Sequence, residues 1–266
     1  MSETGLPDPN QDIVAYNREA WDGQVRMRNR WTVPVSTEEI AAARNGKWNI
    51  VLTPQKPVPR DWFPDFRKRD CEVLCLAGSG GQQGPILAAA GAHVTVFDLS
   101  LEQLNQDQVV AKREGLKINT VQGDMCDLSC FPDDTFDLIV HPCSNCFVPD
   151  VNPVWRESAR VLKPGGEIIS GFTKPVFYIF DYVEMEKGNL KVAHSIPYSD
   201  LTSVTDDERQ GYVDAGEPLC FGHSLTDQIG GQIEAGLKIT GYYEDVWAEY
   251  VISNYIPAFA ATKATK

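Results

Sequence analysis

The stretch from Glu72 to Asp98 constrains this chain more than any other. Val73, Leu74, Cys75, Leu76 and Ala77 form a short apolar run that stops at glycine, the pattern of a strand covered on both faces of a parallel sheet. Gly78, Gly80, Gly81 and Gly84 follow, and residues without a Cβ let the backbone turn sharply and approach a ligand closely. A short helix and a second apolar strand then lead to Asp98, twenty residues beyond Gly78. A carboxylate there, at the end of the second strand of a βαβ unit, accepts hydrogen bonds from ribose hydroxyls, so the stretch predicts a nucleoside site. The dinucleotide fingerprint Gly-x-Gly-x-x-Gly fails at its third glycine, which, counted from Gly78, is Gln83.

Later segments continue the alternation. Ser100 is a good N-cap for a helix that carries Leu101, Leu104, Val109 and Ala111 and ends at Gly115. Residues 119–122 read as a third strand with Asp124 just beyond it, and Phe136 to His141 as a fourth. Arg160-Val-Leu-Lys-Pro-Gly-Gly-Glu-Ile-Ile-Ser-Gly171 reads as a helix end, a Pro-Gly-Gly turn and a fifth strand. Over residues 72 to 172 this series resembles the class I S-adenosylmethionine-dependent methyltransferases, with a looser likeness towards the C-terminus.

The resemblance implies an α/β fold: a Rossmann-like, doubly wound, seven-stranded and mostly parallel sheet with an antiparallel last strand. It implies S-adenosyl-L-methionine as cofactor, S-adenosyl-L-homocysteine as product, and an enzyme that transfers a methyl group in line to a nitrogen, oxygen or sulfur of a small-molecule acceptor. Ala77, Gly78, Ser79 and Gly80 match the loop beneath the methionine part of the cofactor, and Asp98 matches the ribose acid. Leu99 and Met125 match positions against the adenine, and Asp124 the acceptor of its amino group. His141, at the end of the fourth strand, matches a position facing both methyl group and acceptor; it is the candidate base, with Asn145 a candidate to orient the acceptor.

Residues 1–70 precede the first strand and read as a helical, aromatic extension. Asp12 starts a helix carrying Ile13, Tyr16, Ala20 and Trp21, and a second runs from Ser36 to Arg44. A proline-rich irregular segment spans Trp48 to Phe63. In relatives such additions close over the cofactor, so Tyr16, Trp21 and Trp31 are expected in a lid, their aromatic faces receiving the sulfonium charge. Residues 71–266 form the expected cofactor-binding core, with an acceptor-side insertion at about 173–220 that makes Phe177, Tyr178, Tyr182 and His194 candidate substrate contacts. Within it, Leu190 to Ile196 reads as an added strand and the stretch from Thr202 to Arg209 as a polar loop. A capped helix from His223 to Gly236 and strands from Leu237 and Ile256 complete the chain.

A formal net charge of −13 disfavours a nucleic-acid substrate, because phosphate contacts need a basic surface. No apolar run approaches the roughly 18 residues of a membrane helix, and the N-terminus lacks the basic and apolar regions of a signal peptide. The expectation is a cytoplasmic protein without membrane contact. Seven cysteines suit a reducing compartment. Cys143-Ser-Asn-Cys146 has no second pair at zinc spacing, so no metal is expected. Two alternatives stay open: a non-catalytic cofactor-binding protein on the same fold, and a metalloid methyltransferase that holds its acceptor on Cys143 and Cys146.

Overall fold

The computed structural model describes residue 8, residues 12–78 and residues 80–266. Its strands are β1 (Glu72–Leu76), β2 (His93–Asp98), β3 (Ile118–Gln122), β4 (Phe136–His141), β5 (Leu162–Thr173), the two-residue β6 (Tyr198–Ser199) and β7 (Phe221–Gly222), β8 (Lys238–Asp245) and β9 (Phe259–Thr265). Seven of them form one sheet in the order β3-β2-β1-β4-β5-β9-β8. The first five pair in parallel. The last, β9, lies antiparallel between β5 and β8, as the sequence predicts. Strand order reverses between β1 and β4, and ligands of doubly wound sheets bind at the carboxyl ends of the strands flanking that point.

The helices are α1 (Ile13–Arg26), α2 (Thr37–Arg44), α3 (Gln83–Ala90), α4 (Leu101–Glu114), α5 (Asn152–Val161), α6 (Tyr182–Glu186), α7 (Asp206–Ala215) and α8 (Gly231–Glu234). Their ends follow local chemistry. Asp12 caps α1, Ser36 and Glu39 form a reciprocal capping box on α2, and Ser100 caps α4, which ends at left-handed Gly115. On α4 the buried stripe is Leu104, Asp107, Val110 and Ala111, while Leu101 and Val109 face solvent; those two lie off the i, i+3, i+7 face that meets the sheet.

Both faces of the sheet are covered. One carries Phe97, Leu128, Val154 and the fully buried Trp155. The other carries Leu87 of α3 together with Trp48, Ile50, Leu52, Phe63 and Phe66, so the irregular proline-rich segment contributes side chains to the core. It crosses β5 so closely that a Cβ on Gly171 would stand 2.1 Å from the carbonyl oxygen of Leu52. Each buried Leu, Ile or Phe contributes about 1.5–3 kcal/mol, which ties this segment to the sheet.

The insertion differs from its sequence reading in two places. Residues 190–196 make a single bridge, Phe180 to Val192, and no strand, since no long edge lies beside them to extend the pairing. The expected polar loop is partly α7, capped by a Thr205–Glu208 box. The helix expected from His223 is a π-helical turn, Thr226–Gly230, continued by α8. Among the described residues no helix is long and apolar enough to cross a membrane.

Candidate active site

A cavity of about 820 Å³ opens at the carboxyl ends of β1, β2, β4 and β5, large among ligand pockets. One end is built by the stretch around the glycine turn. After Leu76 the chain turns through Ala77 in the left-handed region, φ 47°, a conformation rare outside glycine. Ala77 and Gly78 line the cavity. Two side chains of α4 grip the loop beyond them: Gly80 N–H donates to Gln103 Oε1 at 2.9 Å and Gly81 N–H to Asp107 Oδ2 at 3.0 Å. Gly80 is not part of the lining. Its missing Cβ makes room for Gln103, which one would approach to 2.2 Å, so the constraint there is the protein's own packing rather than a ligand. Ser79 lies outside the described residues.

Asp98 and Leu99 line the same end, with Asp124 and the buried Met125 beyond β3. Asp98 Oδ1 accepts from Ser100 N–H at 2.8 Å, while burial, with the Asp22 carboxylate a lesser cause, pushes its carboxyl up to about 7. Asp124 Oδ1 accepts from Cys126 N–H at 2.9 Å. Phe97 packs beneath Gly123, where a Cβ would come within 2.3 Å of the ring. Two carboxylates at the ends of adjacent strands accept and do not donate when ionised, which suits ribose hydroxyls and an adenine amino group. This pair of acceptors therefore fits the nucleoside of S-adenosylmethionine.

From α1, Trp21 reaches the lining and meets Phe147 edge-on at 5.0 Å. Tyr16 does not. It is fully buried, donates from its hydroxyl to the Glu217 carbonyl at 2.9 Å, and packs with Ala20, Val213 and Phe221. Five residues from Trp21, and so about 140° round the helix from it, Tyr16 lies on the face of α1 that meets the insertion, and the expected cofactor contact is replaced by an anchor. Asn17, which the sequence reading passed over, lines the cavity and bonds Phe147 O at 3.0 Å, Leu219 O at 3.2 Å and Leu219 N–H at 2.9 Å. Asp22 on the same helix accepts from Ser100 Oγ and from Glu102 N–H, so α1 is clasped to the loop that carries Asp98.

At the β4 end the structure departs from the expected chemistry. His141 is fully buried and absent from the lining; Nδ1 stands 2.8 Å from Leu76 O and Nε2 2.6 Å from Asn145 Oδ1. The Leu76 carbonyl only accepts, so in the neutral ring Nδ1 carries the proton and Nε2 accepts, which requires the Asn145 amide to turn its Nδ2 towards Nε2 and Gln228 to turn its own amide NH₂ towards Asn145 Oδ1. Burial lowers the imidazole pKa and favours that neutral form. Neither nitrogen is open to an acceptor, so the role of base is withdrawn. Asn145, equally buried, spends its amide on His141 and Gln228 and does not reach the cavity, so its orienting role goes too. Pro142, Cys143 and Ser144 face the cavity in their place.

Phe177, Tyr178 and Tyr182 of the insertion line the other end; the Tyr182 and Tyr250 hydroxyls meet at 2.6 Å. His194 stands behind the lining, its ring against Tyr198 at 5.1 Å. Cys143 and Cys146 both line the cavity, joined by Cys220, but burial raises the Cys143 thiol well above its usual range and so keeps it protonated. Among the described residues no group of three or more His, Cys, Asp or Glu is arranged to hold a metal ion.

Comparison with known proteins agrees with this geometry. The profile of a family described as a methyltransferase domain matches residues 74–170. The chain is 51% identical over 254 residues to the uncharacterized methyltransferase YbaJ of Bacillus subtilis (strain 168), covering 96% of this chain and 98% of that protein. Sterol 24-C-methyltransferase ERG6B of Gibberella zeae is 32% identical over 117 residues, 43% of this chain and 30% of that one. In fold, the chain is similar to an S-adenosylmethionine-dependent methyltransferase of Mesorhizobium loti, with a TM-score of 0.59 at 17% identity, covering 78% of this chain and 95% of the other. The protein belongs to the class I S-adenosylmethionine-dependent methyltransferase family.

Proposed function

We propose that the protein methylates a small-molecule acceptor, with the cofactor's nucleoside held by Asp98 and Asp124, its methionine part by Ala77 and Gly78, and the acceptor in the aromatic end of the same cavity. When bound, S-adenosylmethionine supplies a methyl group already activated on a sulfonium. What the chain's own residues contribute is position and the exclusion of water. Leu99 and Met125 offer apolar contact to the base. Residues 12–32 act as the lid, Trp21 and Trp31 forming its inner face while Tyr16 and Asn17 pin α1 to the insertion. Residues 173–220 cover the acceptor side through Phe177 and Tyr178.

The observation that carries this reading is continuity. One cavity runs from the carboxylates of Asp98 and Asp124, past Pro142 and Thr173 at the ends of β4 and β5, to Phe177, Tyr178 and Tyr182. A methyl donor at one end and an acceptor at the other thus share a single space. Calorimetric titration with S-adenosylhomocysteine tests it. Wild type should bind one equivalent, and Trp21→Leu, which removes a lid ring but keeps the side chain apolar, should bind more weakly with the fold intact. Failure of the wild type to bind either S-adenosylmethionine or S-adenosylhomocysteine would sink the proposal.

A further inference from the structure

The charges around the cavity are lopsided. Among the described residues Arg30 is the only basic one in its lining, against six acids: Asp98, Asp124, Glu186, Asp200, Glu217 and Glu249. Asp98 and Asp124 stand at the nucleoside end. Glu249 is matched by Arg30, Nη1 to Oε1 at 2.7 Å, and the guanidinium lies 4.8 Å from the centre of the Trp31 ring. That leaves Asp200, Glu217 and Glu186 at the aromatic end, and among the described residues no lysine, arginine or histidine pairs with any of them at 4.0 Å or less.

Asp200 is the best placed of the three. It is buried, 7% exposed, and fixed from two directions: the Tyr198 hydroxyl donates to Oδ1 at 2.6 Å and Cys220 N–H to Oδ2 at 2.6 Å. Tyr198 stacks on Tyr178, ring centres 5.4 Å apart at 24°, and both rings line the cavity with the carboxylate. Burying an acid costs free energy unless hydrogen bonds or a partner charge offset it. Here the fold supplies two hydrogen bonds and no ion pair within 4.0 Å, His194 acting on the carboxylate only from behind Tyr198, and it lines the same end of the cavity with aromatic rings, groups that attract cations. The arrangement is complete but for a positive charge.

We infer that the acceptor is an amine, bound as its ammonium beside the Asp200 carboxylate at the end of the cavity that Tyr178 and Tyr198 line, with Glu186 and Glu217 adding to the attraction. This rests on the reading of the cavity as a methyl-transfer site. The chemistry balances: the bound ammonium gives one proton to Asp200, and the freed nitrogen lone pair forms the new N–CH₃ bond. The electron pair of the broken C–S bond stays on sulfur as a neutral thioether. Burial raises the carboxyl of Asp200, the direction that helps it take up that proton. The product is again a cation, and an anionic acceptor would meet like charge throughout.

The test uses the full chain saturated with S-adenosylhomocysteine and three ligands of one skeleton: 2-phenylethylamine, 2-phenylethanol and phenylacetate, titrated by calorimetry at pH 7.5. The amine should bind at least about tenfold more tightly than the alcohol, and phenylacetate more weakly than either. Asp200→Asn should reduce the amine-to-alcohol preference severalfold. Glu186→Gln, on an exposed helix where folding is not at stake, should reduce it by a smaller factor. Equal binding of amine and alcohol, preference for phenylacetate, or no binding of the amine would overturn the inference. Saturation with S-adenosylhomocysteine is measured first, so failure of the cofactor reading is seen separately.

Discussion

Replacing Asp98 by asparagine should stabilise the unliganded protein and weaken cofactor binding together, two effects that a residue of purely structural value would not pair. Burial raises this carboxyl from the ordinary 3.8 to about 7. A shift of about three units, at about 1.4 kcal/mol each, sets an upper bound of about 4 kcal/mol for the cost of ionised Asp98 in the empty fold. Solvent reaches the group through the cavity, so about 1–2 kcal/mol is the working figure. The sign follows from linkage: with the folded pKa raised, the unfolded chain releases its proton first. The cost is therefore absent below pH 4, grows between pH 4 and 7 and is full above pH 7. Asparagine keeps the oxygen that accepts from Ser100 N–H. Urea denaturation should show the variant more stable by about 1–2 kcal/mol at pH 8 and unchanged at pH 4. At pH 8, calorimetry with S-adenosylhomocysteine should show affinity reduced by about 10- to 150-fold, the worth of one charge-assisted hydrogen bond. A variant that loses stability at pH 8, or binds the product with unchanged affinity, would refute the placement of the ribose at this acid.

Three further outcomes follow from the packing. Gly171→Ala should cost about 2–3 kcal/mol in urea denaturation, because the added Cβ meets the backbone oxygen of Leu52 at 2.1 Å, whereas Gly23→Ala in α1, with no neighbour nearer than 3.9 Å, should gain about 0.5–1 kcal/mol. Asp22→Ala removes the acceptor shared by Ser100 Oγ and Glu102 N–H; it should lower stability by about 1 kcal/mol, speed hydrogen exchange along α1 and weaken S-adenosylhomocysteine binding severalfold. Because burial depresses the His141 pKa, the unfolded chain takes up a proton that the native state refuses, and stability falls as pH drops below about 6.5, by up to about 1.4 kcal/mol per unit. His141→Gln should remove that slope from denaturation midpoints measured between pH 7 and 5, while leaving the pH dependence of turnover in place.

Much of the core was legible because its determinants are local. The apolar run before Gly78, the acid ending β2, the Ser100 cap and the Lys-Pro-Gly-Gly sequence each report on a few neighbouring residues, and periodicity turns such reports into elements. Even α7 carried its signal, since Thr205-Asp-Asp-Glu208 is a capping box, and only the polar composition hid it. The stripe on α4 was half right for a similar reason: the spacing defines a helix, but which apolar residues turn inward depends on where the sheet lies.

The site divides along the same line. By itself the sequence brought a glycine turn and two acids, Asp98 and Asp124, to the strand ends that line one end of the cavity, because these residues follow strands whose order the chain spells out. Tertiary structure alone decided the fate of each side chain beyond them. His141 and Asn145 are a single turn from the cavity yet spend their polar atoms on Leu76 and Gln228, partners 65 and 83 residues away. Tyr16 and Trp21 share one helix, but the insertion covers the first and leaves the second facing the cavity. The aromatic end is assembled from residues as distant as Trp31, Tyr178 and Tyr250, and the Asp200 carboxylate is fixed there by Tyr198 and Cys220, the latter 20 residues away. Burial and facing are set by the long-range packing of whole elements, which local pattern does not encode.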